Sequence, residues 1–135
     1  MAIQLSTAVR NARLDAIETA VGTAAVVKLR TGAQPANCAT ADSGTAVASW
    51  TLASDWMAAA SSGSKAFSSV PLATVGLAAG TAAHYRVYAS DGTTCHMQGT
   101  VTATGGGGDM TIDNVVVAVS QAINITGWTI TDGNP

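Results

Sequence analysis

From Ala8 to Val21 the chain has no Gly, no Pro and no turn cluster, and directly after Gly22 its apolar period drops from helical to two-fold. That switch predicts one N-terminal helix followed by a strand-rich remainder. Ser6 or Thr7 can cap the helix, and Gly22 stands where a left-handed C-terminal residue is wanted. The apolar stripe runs Leu14, Ile17, Val21. Arg10 and Arg13 come early in the helix and Asp15 and Glu18 late, an order that opposes the helix macrodipole. Such charges either face solvent or answer to something outside the helix. Docking on a partner subunit would make Arg10 and Arg13 interface residues.

Beyond Gly22, Ala25 to Thr31 reads as a strand with Ala25, Val27 and Leu29 inward. Gly32 to Thr45, with Pro35, Asn37, Asp42, Ser43 and Gly44, is a loop by composition. Ala46 to Leu52 forms a second strand with Ala48, Trp50 and Leu52 on one face, and Ser54 to Met57 with the alanines after it suggests a short capped helical turn ended near Gly63. Phe67, Val70, Leu72 and Val75 satisfy neither period, and Pro71 forbids a central strand, so Lys65 to Val75 reads as edge strand plus loop.

Two alternating runs flank Ser90-Asp91-Gly92, which predicts a hairpin over Ala83 to Thr104. A two-residue loop mixes the polar and apolar rows. A three-residue loop with Gly92 left-handed pairs Val87 with Cys95 and keeps the rows apart. His84, Arg86, Tyr88, Thr94, His96 and Gln98 then share one polar face. Gly105 to Gly108 is a flexible or sharply turning connector, and strands follow at Asp109 to Asn114, Val115 to Val119 and Ala122 to Thr131. In the last strand, Gly127 marks a bulge because Ile123 and Ile125 differ in parity from Trp128 and Ile130. No solenoid-period repeat is present. The pattern predicts a mainly β chain of one domain, an N-terminal helical arm over residues 1–22 and an antiparallel β-sandwich of Greek-key or jelly-roll type over 23–135.

Composition narrows the function. Charged residues make up 10% of the chain, against roughly a quarter in average domains. Burying surface in an assembly is one way such a chain stays dispersed. Six basic residues against eight acidic ones leave no basic footprint for nucleic acid. The longest wholly apolar stretch, Val115 to Val119, is far short of a membrane helix, and the N-terminus lacks the layout of a secretory signal, so synthesis in a cytoplasm is expected. Cys38 and Cys95 fit no zinc or redox spacing and are expected as reduced, buried thiols.

No constellation of residues announces chemistry, and neither a catalytic residue nor a cofactor is expected. His84 and His96 lack a third metal ligand, and Arg86 between them would repel a cation. The tetraglycine is followed by no Lys-Ser or Lys-Thr pair and is a linker or turn rather than a phosphate loop. No Ser sits in a G-x-S-x-G elbow, and Asp109 and Asp113 read as turn residues. Trp50, Trp56 and Trp128 can stack on sugar or fill a core otherwise short of large side chains; the second use fits better. The polar hairpin face suits a protein interface, a carbohydrate or plain solvent.

Four stretches carry a resemblance: Ala2 to Glu18, Ser54-Asp55-Trp56-Met57, Asp91-Gly92-Thr93-Thr94-Cys95-His96, and Gly105 to Asn114. Across most of its length, most weakly between Lys65 and Ala83, the chain resembles a family of small tailed-bacteriophage proteins carried among virion structural genes. That family offers no catalytic motif. The resemblance implies a virion structural protein, a β-sandwich or jelly-roll subunit of the capsid decoration (cement) kind. Its partners would be the major capsid protein and further copies of itself as a homodimer or homotrimer, and its place the capsid exterior. The alternative is a tail or tail-fibre component with a carbohydrate or receptor contact. On either reading the candidate partner interface is Arg10 and Arg13 on the helix, with His84, Arg86, Tyr88 and His96 on the hairpin.

Overall fold

A computed structural model describes residues 3–133 of the chain. One helix, α1 (Thr7–Val21), precedes ten strands: β1 (Val26–Arg30), β2 (Ala46–Thr51), β3 (Ser64–Ala66), β4 (Leu72–Val75), β5 (Gly80–Thr81), β6 (His84–Tyr88), β7 (Cys95–Ala103), β8 (Met110–Ile112), β9 (Val116–Val117) and β10 (Ala122–Thr131). The protein is therefore mainly β with one N-terminal helix. Ser6, in extended conformation, accepts the Val9 amide on its hydroxyl, and Gly22 at φ 85° returns its N–H to the Glu18 carbonyl. Both ends of α1 fall where the cap residues predict.

The main sheet runs β2-β1-β6-β7-β8-β10-β3, with β4 also on β10, while β5 and β9 form a separate pair. This sheet curls. The Leu77 amide reaches the Val47 carbonyl at 2.8 Å, the Thr74 hydroxyl the Ser49 carbonyl at 2.9 Å, and the Trp50 indole N–H the Leu72 carbonyl at 3.2 Å. These bonds bring β2, at one end of the sheet, against β4 and the residues just after it, which lie beside β10 near the other. The expected pair of packed antiparallel layers is thus one sheet folded around its core, and its pairing is mixed, since β7 and β8 are parallel.

That parallel pair depends on the glycines. Adjacent parallel strands ordinarily need a crossover of about a dozen residues. Here the chain turns back within 104–109, with Gly105 at φ 86° and Gly107 at φ 80°. Residues with a Cβ rarely occupy such angles. The Gly106 amide binds the Ala103 carbonyl and the Gly108 amide the Thr102 hydroxyl, which fixes the turn.

The core is built on Trp128. Trp56 stacks on it at a centroid distance of 5.4 Å, Phe67 lies tilted at 5.5 Å, and Tyr85 meets it edge-on at 5.3 Å. Ala25, Val27 and Leu29 are fully buried around this cluster, as the alternation in β1 predicts, and Trp50 is buried with them. The Gly127 bulge is also present, as a register shift between Ile125 and Gly127.

Two local expectations are corrected. Ser54 to Met57 forms no helical turn. Instead the amides of Trp56 and Met57 donate to Glu18 Oε1 at 2.8 and 3.0 Å, and Met57 bridges to Phe67, so a tertiary acceptor takes the donors a helix would have used. In the hairpin, Gly92 is left-handed at φ 68°, but Cys95 pairs with Tyr88 and Val87 with Met97. The Asp91 carboxylate draws the Thr93 and Thr94 amides into the turn, and a bulge at His96 absorbs the extra residue. Side-chain parity survives the two-residue difference from His84–Thr100 to Val87–Met97, but beyond the bulge Cys95 leaves the apolar row and faces Tyr88.

Candidate functional site

The row Arg30, His84, Arg86, Tyr88 and Gln98 lies on one face of β1, β6 and β7, as the alternation predicts. That face is not free. All five residues of β6 are buried: Tyr85 and Val87 in the core, and His84, Arg86 and Tyr88, the first two at 1% exposure, because the segment 32–45 folds across them. Arg86 Nη1 donates to Asp42 Oδ1 at 2.5 Å, and Nη2 donates to the carbonyls of Asn37, Cys38 and Thr40 at 3.0–3.2 Å. The Tyr88 hydroxyl donates to the same Asp42 oxygen at 2.7 Å, and Arg30 reaches Asp42 Oδ2 at 2.5 Å. Gln98 Nε2 holds the Pro35 carbonyl at 2.7 Å, and His84 Nδ1 lies 3.1 Å from the Gly32 carbonyl. The loop carbonyls of Pro35, Asn37, Cys38 and Thr40 thus each meet a fixed side-chain donor, which lets irregular backbone cover a strand.

This cover sets the titration of its members. Burial works against the Asp42 carboxylate, yet the Tyr88 and Arg86 hydrogen bonds and the Arg30 and Arg86 charges outweigh it and hold the group below its ordinary range. Burial, with the Asp42 bond behind it, pushes the Tyr88 hydroxyl up to about 12. His84 is shifted down, first by burial and then by the Arg30 and Arg86 cations, with partial relief from the Gly32 carbonyl. Lys28 faces Arg86 directly across the β1–β6 ladder, a like-charge pairing that costs stability unless both are engaged. Lys28 turns instead to the Gly92 carbonyl at 2.7 Å and lies 4.7 Å from the centre of the Tyr88 ring.

The helix charges are accounted for in the same way. Arg10 donates through Nε and Nη2 to the Asp132 carbonyl, and Arg13 pairs with the Asp132 carboxylate at 3.3 Å. Asp15 and Glu18 close on Lys65 at 2.7 and 3.1 Å, while Lys65 is only 3% exposed. Burial would lower the Lys65 pKa, but the bonds from Asp15 and Glu18 more than reverse that and raise it. The charge order that opposes the dipole exists because α1 docks on the rest of its own chain.

Of the six interface candidates, His84, Arg86 and Tyr88 are therefore withdrawn from any partner by the covering loop, and Arg10 is half-buried on Asp132. Arg13, with 59% of its side chain exposed, and His96 remain at the surface. His96 sits at the hairpin bulge while His84 pairs with Thr100 further along β7, so the two imidazoles do not converge. Asp109 accepts the Thr100 amide and hydroxyl, and Asp113 the Asn124 amide and side chain, each at a strand end. Among the described residues, no group of three or more His, Cys, Asp or Glu could hold a metal, and no helix is long and apolar enough to cross a membrane.

Alternation in the sequence gave no warning of one surface feature. Val75, Leu77, Val116 and Val119 are each 53–63% exposed. They ride on two segments tied by the Gly76 amide to the Gln121 carbonyl and the Ser120 amide to the Gly76 carbonyl, both at 2.8 Å. Because β4 and β9 are short and lie off the main path of the sheet, the outward side chains of these segments find no cover within the chain. Compared with family models, curated proteins and solved structures, the chain matches none of them.

Proposed function

We propose that this protein is a structural subunit that works by binding rather than by turnover: a tailed-phage virion protein of the capsid decoration kind, clamping neighbouring major capsid subunits from outside as a homo-oligomer. The observation that carries the binding reading is the set of exposed apolar side chains Val75, Leu77, Val116 and Val119 in a chain with 10% charged residues. Apolar groups left exposed on neighbouring segments are what a partner surface covers. Asp42, Arg86, Lys65, Asp15 and Glu18 are all engaged in bonds that hold loop or helix in place, which supports binding over catalysis. The phage assignment rests on the resemblance of the quoted sequence stretches.

Decoration works by repetition. A contact of the order of 800 Å² per partner is modest alone, but symmetry multiplies it over a shell. Quantitative mass spectrometry of purified particles tests the role. A copy number in simple ratio to the major capsid protein is expected. A few copies per particle would move the protein to the tail, and its absence from particles would overturn the reading.

A further inference from the structure

The edge of the covering loop brings together the two cysteines, Cys38 from the loop and Cys95 from the first position of β7. Both are free and half-buried, and both line one open cleft of about 350 Å³ whose other walls include Lys28, Asp42 and Thr93. The Cys38 side chain lies close enough to the Cys95 thiol to raise it, and that thiol donates weakly to the Met97 carbonyl at 3.5 Å. Each is held from behind: the Cys38 carbonyl accepts Arg86 Nη2 at 3.0 Å, and Cys95 pairs with Tyr88 in the β6–β7 ladder. Cys38 itself lies in a turn of irregular backbone, which can give the small approach that a bond needs.

We propose that Cys38 and Cys95 are an oxidation site, closed by a small-molecule disulfide into an intramolecular bond that pins segment 32–45 over the hairpin. The exchange is balanced. The Cys38 thiolate attacks one sulfur of the small disulfide RSSR, forming Cys38–S–S–R and releasing RS⁻, which takes a proton from water. Cys95 then gives up its proton to solvent, and its thiolate attacks Cys38 Sγ, forming the Cys38–Cys95 bond and expelling the second RS⁻, which is protonated in turn. Two protein thiols are oxidised and one RSSR is reduced to two RSH.

Cys38 is assigned the first attack because burial, with the Cys38 contact added and the neighbouring Arg86 cation only partly opposing, pushes the Cys95 thiol up to about 11. The closure therefore quickens as pH rises, and it belongs to the time after the chain leaves a reducing compartment. The bond would tie the loop that carries Asp42 to the strand beside Arg86, so the buried polar face could no longer open.

The test uses the full chain, first reduced and then given oxidised glutathione as the small disulfide. Expected are an intact mass lower by two hydrogens, one cross-linked peptide pair joining 38 to 95, and a melting temperature higher by roughly 10 °C that reverts with dithiothreitol. Cys95→Ser should stop at a glutathione adduct on Cys38, with no such rise. Glutathione on both cysteines of one molecule, a disulfide between two chains, thiols left unreacted, or a cross-link without a change in melting would each overturn the proposal.

Discussion

Arg86 and Asp42, 44 residues apart in the chain, meet at 2.5 Å, and this contact joins a central strand to the loop that covers it. Arg86 is 1% exposed, so its charge is tolerated only while Asp42 and the three loop carbonyls are in place. Asp42→Asn keeps the shape and removes the charge. Leaving a buried cation without its counter-ion costs about 3 kcal/mol, and the urea midpoint should fall accordingly. A midpoint within error of the parent would mean that the loop is held by its other bonds.

The same cover makes stability depend on pH through His84. Its folded pKa is depressed below 6.5, chiefly by burial, so folding favours the neutral ring. The resulting stability is fully present above the unfolded value. It is lost as pH falls below about 6.5 toward the folded pKa, with a slope of at most about 1.4 kcal/mol per pH unit. Denaturant unfolding between about pH 7 and pH 5 should show this loss, and His84→Gln should flatten it. Equal slopes in parent and variant would place the effect elsewhere.

Gly63 controls how α1 sits. Its φ is 74°, its amide donates to Asn11 Oδ1 at 2.8 Å, and a Cβ there would lie 2.2 Å from the Arg10 guanidinium. Gly63→Ala should cost about 1–3 kcal/mol by combining backbone strain with displacement of Arg10 from Asp132. A thermal melt measures the loss, and Arg10→Met in the same background should recover part of it. No recovery would show that strain alone is responsible.

Tyr85 supplies the acceptor for the buried Trp128 indole, with Nε1 to Oη at 3.0 Å. Burial pushes the Tyr85 hydroxyl up to about 12, with the Trp128 bond partly opposing it, so the group stays protonated across the ordinary pH range. Tyr85→Phe strands that indole N–H in the core and should cost about 1–3 kcal/mol, read as a lower urea midpoint. An unchanged midpoint would mean that the indole finds another acceptor.

Local signals made much of this fold legible. The Ser6 cap, Gly22, the alternation of β1, the left-handed Gly92 and the Gly127 bulge each depend on neighbours within a few residues, and each stands where the sequence places it. The readings that failed depend on partners far along the chain. Trp56 and Met57 stay extended because Glu18 takes their amides, and the hairpin face is buried because Asp42 answers Arg86 from across the chain. One hint was present: Arg30, Arg86 and Lys28 fall on one face of adjacent strands, and three cations there need an anion from outside the sheet. The parallel β7–β8 pair gave no comparable signal, since a glycine run marks a connector without giving the direction in which the chain returns.

The central claim is that the exposed valines and leucine, rather than the hairpin face, meet a partner. Incorporation of Leu77→Asp/Val119→Asp into particles, scored against the parent and against Arg13→Glu at matched expression, tests it most directly. Both side chains are more than half exposed, so the double variant should melt like the parent while its copy number in particles collapses. Normal occupancy of a well-folded double variant would contradict the account, and loss with Arg13→Glu alone would return the interface to the helix.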